Sequence, residues 1–111
     1  MLLKLESKDN YLIARLKGEL DHHNSELARQ KIDRCFFEKN TSNIILDLRE
    51  LTFMDSSGIG LVMGRYKNAK DRKGKLIIVN DNRYIERILR MSGLLKIIEL
   101  YPTIDVAVEK L

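Results

Sequence analysis

The sequence predicts an α/β fold on a mixed, mostly parallel sheet with element order ββαβαβαβα and helices packed on it, and three observations carry that prediction. The runs Ile44 to Leu48 and Lys75 to Val79 are almost uninterrupted by polar residues, which is how strands covered on both faces read. Between and after them, apolar residues recur at helical spacing, so strands alternate with crossover helices as in parallel sheets with right-handed connections. The chain opens with two β-like runs joined by Ser7-Lys8-Asp9-Asn10, a string of turn formers that suits a hairpin and makes the sheet mixed.

Each element follows from local residues. Leu2 to Glu6 and Tyr11 to Lys17 are the two hairpin strands. After Gly18-Glu19-Leu20-Asp21, the positions Ala28, Ile32, Cys35 and Phe36 predict an amphipathic helix to about Lys39, with Asp21 or Asn24 as its N-cap. Asn40-Thr41-Ser42-Asn43 is a turn before the strand Ile44 to Leu48. From Ser56 to about Lys70, the residues Ile59, Val62, Met63, Tyr66 and Ala69 line one helical face, and Asp71 to Gly74 end the helix. Beyond the strand Lys75 to Val79, Asn80-Asp81-Asn82 offers caps for a third helix marked by Ile85, Ile88 and Leu89. Gly93 stops that helix, with Leu94 folding back in a Schellman end. Lys96 to Leu100 predicts a short last strand broken by Pro102. Thr103 then caps a C-terminal helix carrying the stripe Ile104, Ala107, Val108 and Leu111. The chain has no internal repeat and no low-complexity stretch.

Composition narrows the class of protein. A chain of 111 residues with 44% hydrophobic content has the size of one domain around one core, expected over residues 1–111. Charged residues make up 32%, and no apolar run approaches the length of a bilayer span, so a soluble chain without a membrane partner is expected. The start Met-Leu-Leu-Lys-Leu-Glu lacks the pattern of a secretory signal, which makes the cytoplasm the default location. The single cysteine, Cys35, excludes an internal disulfide and reads as a buried, inert thiol on a helix stripe. The 20 basic and 16 acidic residues leave +4, with the basic excess densest at Arg65, Lys67, Lys70, Arg72, Lys73 and Lys75. These fall in the last turns of a helix and the loop after it, where cations complement the dipole and face water. With only Tyr66 among them and no nucleic-acid motif, no direct nucleic-acid partner is expected.

The chemistry concentrates at Phe53-Met54-Asp55-Ser56-Ser57-Gly58-Ile59-Gly60. This run seats two hydroxyls at a helix start, where unpaired N–H groups and the macrodipole suit an anion. Asp55 can cap the turn, which leaves Ser56 facing solvent or a partner while Ser57 can turn into the helix. A serine held there can accept a phosphoryl group, act as a nucleophile or help to cap. Gly58, Gly60 and Gly64 each cost about 0.5–1 kcal/mol inside a helix, which either tight packing or a smooth docking surface offsets. Gly-x-Gly-x-x-x-Gly is not the dinucleotide fingerprint, and no Gly-Lys-Ser/Thr triplet provides a phosphate loop, so no cofactor is expected. A nucleophile elbow is also missing. The only histidines, His22 and His23, are neighbours that diverge by about 100° at a helix start, so they read as surface or capping residues. With Asp21 they lack a third ligand for a metal. An enzyme is therefore not expected.

Four segments carry a resemblance: Gly18-Glu19-Leu20-Asp21-His22-His23, Phe53-Met54-Asp55-Ser56-Ser57-Gly58, Gly64-Arg65-Tyr66-Lys67, and Met91-Ser92-Gly93-Leu94 with Lys96-Ile97-Ile98. In register and nearly end to end, the chain resembles the STAS-domain anti-sigma factor antagonists of the type that serves the sporulation sigma factor F. The resemblance implies a single STAS domain acting as a partner switch. Its serine after the aspartate, here Ser56, would be phosphorylated by the anti-sigma factor, a serine kinase that holds the ATP. The unmodified form would bind that kinase and free the sigma factor; the phosphorylated form would let go, and a metal-dependent serine phosphatase would restore it. The resemblance places Asp21 near the phosphorylation site and, with the surface reasoning above, gives a partner-binding set of Asp21, Asp55, Ser56, Ser57, Gly58 and Gly60. Departures lie in Asn24 to Lys39 and after Leu100. The alternatives are a STAS antagonist of another stress-response circuit and a small serine hydrolase. Gly-Glu-Leu-Asp-His-His and Met-Ser-Gly-Leu favour the sporulation type.

Overall fold

In the computed structural model, which describes residues 1–111, β1 (Leu2–Lys8) and β2 (Tyr11–Leu20) form the hairpin, followed by α1 (Ser25–Glu38), β3 (Asn43–Met54), α2 (Ser56–Asp71), β4 (Leu76–Val79), α3 (Arg83–Met91), a 3-10 turn (Leu94–Lys96), β5 (Glu99–Tyr101) and α4 (Ile104–Glu109). The sheet order is β1-β2-β3-β4-β5, with β1 antiparallel to β2 and every later pair parallel. The predicted order of elements is therefore the observed one.

The alternation of side chains along the strands explains the two layers of helices. Leu12, Ala14 and Leu16 of β2, Ile44, Leu46 and Leu48 of β3, and Ile78 of β4 point into the larger core with residues of α1, α2 and α3. Ile13, Ile45, Ile77 and Val79 point the other way, onto Ala107 of α4. The sheet centre is thus covered on both faces, as its apolar runs predicted. Cys35 is only half-buried, against the rim of the larger core.

Several local expectations are corrected. The hairpin strands are longer than predicted, because the turn needs only Asp9 and Asn10, with Asp9 at φ 51°. β3 runs on to Met54 instead of ending at Leu48. Its second half pairs only with β2, since β4 spans just Ile44 to Asp47 of β3, and polar residues are tolerated on that half-solvated stretch. Twice β3 uses one residue more than β2, between Asp47 and Glu50 and between Leu51 and Phe53, and these bulges carry its end round to Leu20. At the first bulge the buried Asp47 receives Arg49 Nε and Nη2 at 2.9 and 2.8 Å, so its charge is matched.

On α2 the inward residues are Gly58, Leu61, Val62, Arg65 and Ala69, whereas Met63, predicted inside, is exposed. Arg65 is the larger correction: expected on a solvated basic face, it is instead buried. Arg72 also leaves that face, stacking over Phe36 and Phe37 and donating to the Thr41 carbonyl at 3.0 Å. At the end of α3, Gly93 takes φ 86° and its N–H bonds the Arg90 carbonyl, as a Schellman end requires. The longer bond of that motif is relayed: Ser92 Oγ donates to the Leu89 carbonyl at 2.6 Å and accepts the Leu94 N–H at 3.3 Å. Lys96 to Ile98 turn and do not join the last strand, which begins at Glu99 and is half the length of a typical strand. Thr103 caps α4 through the Val106 N–H, and Leu111 falls beyond the helix.

Candidate functional site

The site is built where β2 and β3 end side by side. Leu20 pairs with Met54, and the Leu20 carbonyl accepts the Asp55 N–H at 3.3 Å, so the turn leaving β2 and the turn leaving β3 are tied at their first residues. Asp55 then starts α2 as its N-cap. Its Oδ1 accepts the Ser57 and Gly58 N–H groups at 2.8 and 3.3 Å, and its Oδ2 accepts the His22 N–H at 3.2 Å. Partial burial pushes this carboxyl up, but the three N–H donors of Ser57, Gly58 and His22, with the His22 ring nearby, outweigh it and hold Asp55 below the usual carboxylate range.

The 21–24 turn is laced by its own side chains. Asn24 occupies the N-cap position of α1 without capping: its Nδ2 donates to the Glu19 carbonyl at 2.7 Å and its Oδ1 accepts the Asp21 N–H at 3.1 Å. Asp21 does not cap α1 either, because its carboxylate accepts the His23 N–H at 2.9 Å. The histidine rings, expected to diverge, lie 4.0 Å apart because their residues sit in a turn and not in a helix. No group of three or more His, Cys, Asp or Glu side chains converges as a metal site.

Ser56, the first residue of α2, is exposed, while Ser57 is half-buried and lines a groove between α1 and α2 with Ser25, Gly60 and Gly64. The glycines divide the two roles left open by the sequence. A Cβ on Gly58 would lie 2.5 Å from Met54 Cγ and 3.1 Å from Leu20 Cδ2, so Gly58 is a packing residue that lets α2 seat on the strand ends. Gly60 and Gly64 have nothing within 4 Å of such a Cβ and leave α2 smooth on its outer side. Asp21, Asp55, Ser56, Ser57 and Gly60 are therefore gathered at one end of the sheet, with Gly58 beneath them. The cap also changes the anion argument: Asp55 already holds two of the first-turn N–H groups that a phosphate would otherwise use.

Sequence reasoning missed His22 as a partner of Asp55 and the contact of Arg65 with Asp33 on α1. The first depends on the pairing of Leu20 with Met54, which no local pattern encodes. The Gly-Glu-Leu-Asp-His-His and Asp-Ser-Ser segments were each visible, but not their juxtaposition.

Fold and site together define a regulatory STAS module: residues 3–107 match the STAS domain model, and the chain belongs to the STAS domain family. Among its relatives is the anti-sigma F factor antagonist of Paenibacillus polymyxa, 40% identical over 99 residues that cover 89% of this chain and 85% of the relative. Two solved structures bracket the two states of one such protein. The anti-sigma factor antagonist SpoIIAA in its unphosphorylated form aligns with a TM-score of 0.78 and 31% identity, covering 98% of this chain and 96% of that one. The Bacillus cell fate determinant SpoIIAA in the phosphorylated form aligns with a TM-score of 0.77 and 34% identity, covering 98% of both chains. These relatives are named as antagonists of anti-sigma factors. No helix is long and apolar enough to cross a membrane.

Proposed function

We propose that this chain is a cytoplasmic anti-sigma factor antagonist that works as a phosphorylation-controlled partner switch, with Ser56 as the modified residue. The observation that carries the reading is the exposure of Ser56 at the first position of α2, directly after a cap that fixes the helix start. A kinase can approach a hydroxyl in that position, whereas Ser57 is turned into the groove. In the transfer, Ser56 Oγ forms a bond to the γ-phosphorus of ATP held by the anti-sigma factor, ADP departs with the electrons of the broken bond, and the hydroxyl proton goes to a base of the kinase. A metal-dependent serine phosphatase reverses the modification.

The unmodified face binds the anti-sigma factor through Asp21, Asp55, Ser56, Ser57 and Gly60, with Gly58 setting the depth of α2. The similarity to relatives named anti-sigma F factor antagonists supports the sigma F circuit over a stress-response one. Phosphorylation adds about −1.5 to −2 charge at a surface already holding Asp21 and Asp55. Desolvating that charge, or facing it with carboxylates, opposes docking. A loss of about 3–4 kcal/mol weakens binding a few hundred-fold, enough to release the partner.

Native mass spectrometry with the cognate anti-sigma factor kinase and Mg-ATP tests the reading. The expected result is a complex of unmodified protein with kinase that disappears as one phosphate accumulates on Ser56. Ser56→Ala should bind persistently, and Ser56→Asp poorly. Phosphate on Ser57 alone, uptake that survives Ser56→Ala, or equal affinity of the unmodified and phosphorylated forms would sink it. Turnover of an activated ester lost in Ser56→Ala would instead favour a hydrolase.

A further inference from the structure

Asp55 is a joint between two turns. Its Oδ1 caps α2 through Ser57 and Gly58, while its Oδ2 accepts the His22 N–H at 3.2 Å and lies 3.8 Å from His22 Nδ1. The His22 side chain is 69% exposed, so its ring can turn about χ1 without disturbing the core. His22 thus sits beside the carboxylate whose next neighbour in the chain is Ser56.

Charge around this joint is one-sided. No lysine or arginine occurs from Gly18 to Ala28 or from Leu51 to Gly64, whereas Glu19, Asp21, Glu26 and Asp55 do. The cations flanking those stretches are already engaged: Lys17 pairs with Glu50, Arg49 with Asp47, and Arg29 with Glu26 and Asp33, while the buried Arg65 faces Asp33. A phosphate on Ser56 would therefore be a dianion among carboxylates, and the only side chains of either stretch able to become cations are His22 and His23. Of the two, His22 is the one placed on Asp55. The titratable groups in contact with His22 are Asp55 from the β3–α2 junction and His23 of its own turn, while Asp21 in that turn accepts the His23 N–H.

We propose that His22 is the residue that answers phosphorylation of Ser56, resting on Asp55 while the serine is free and turning as an imidazolium onto the phosphate once it is modified. The inference rests on the reading of Ser56 as the modified residue. It makes His22 a positioning residue for the switch: it neutralises part of the new charge within the chain and leaves Asp55 to cap α2.

Phosphoserine installed at position 56 during translation tests this without any kinase. Its second ionisation is followed by phosphorus-31 NMR in the otherwise wild-type chain, in His22→Gln and in His23→Gln, with His22→Asn as a second variant and thermal midpoints as a check on folding. A nearby cation favours the dianion, so the wild-type midpoint should lie about half a unit or more below that of both His22 variants, with His23→Gln shifted less. A wild-type midpoint equal to or above that of the His22 variants overturns the proposal, as does a larger shift in His23→Gln. Failure of the kinase to modify Ser56 would strike the functional reading instead and would leave these curves as they are.

Discussion

Arg65 of α2 reaches across to Asp33 of α1, placing its Nε 2.8 Å from Asp33 Oδ1 with 7% of the arginine side chain exposed. The contact is electrostatic more than directional, because the Nε–H is not aimed along it. Asn68 donates to the same carboxylate oxygen at 3.1 Å, and Arg65 Nη1 donates to the Leu61 carbonyl at 3.3 Å. Burial pushes the guanidinium below its ordinary value and Asp33 opposes that push. Arg65 also lines the groove with Ser57, Gly60 and Gly64, so its contact with Asp33 ties together the two helices that frame the site.

Removing one member of this pair should be worse than removing both. Asp33→Ala leaves a buried guanidinium uncompensated and should cost about 2–4 kcal/mol, less than a fully sealed pair because Asp33 keeps some contact with water. The double variant Asp33→Leu/Arg65→Met should recover much of that loss. Urea denaturation of the three proteins measures the difference, and additive losses would contradict the assignment.

The three glycines of α2 should separate in a stability assay. Gly58→Ala drives a methyl into Met54 and Leu20 and should destabilise by about 1–3 kcal/mol. Gly60→Ala and Gly64→Ala meet open space and should stabilise by about 0.5–1 kcal/mol. If the outer face of α2 docks the anti-sigma factor, Gly60→Ala should also weaken that complex in calorimetry despite the gain in stability.

Phosphorylation should leave the fold intact. The chain resembles the unphosphorylated and phosphorylated SpoIIAA structures almost equally, with TM-scores of 0.78 and 0.77, so the same fold accommodates both forms of that relative. Amide shifts on phosphorylation of Ser56 should be confined to Asp21–Asn24 and Asp55–Leu61. Changes spreading along β4 and β5 would show that the switch is not a surface event.

Asp55 gives a pH dependence with a definite sign. Its folded value lies below the ordinary one, so its contribution is present above the unfolded value of about 3.9 and is lost as pH falls through the lower folded value. Asp55→Ala should lower Tm by about 4–6 °C at pH 7. The gap to wild type should narrow below about pH 4. Comparing the variant with wild type at each pH cancels Glu26 and Glu99, which are also held low. A gap that is constant down to acid unfolding would mean that the neutral carboxyl caps as well as the charged one.

Much of this protein was legible in its residues. The uninterrupted apolar runs of β3 and β4, the caps Asp55, Asn82 and Thr103, and the stop at Gly93 are local signals, because burial and orphan N–H groups act within a few residues. Ser56 was visible for the same reason: a hydroxyl after a capping aspartate is exposed by helix geometry alone. Tertiary structure decided the rest. The length of β3 depends on which neighbour it pairs with at each residue, and its bulges, not its composition, bring Asp55 against His22. The burial of Arg65 depends on an aspartate 32 positions away on another helix, so by sequence it read as one more surface cation. Packing also split three alike glycines, seating α2 on Gly58 and leaving Gly60 and Gly64 open. Local chemistry therefore fixed where the helices start and stop, and the close packing of those helices on one sheet fixed which side chains meet.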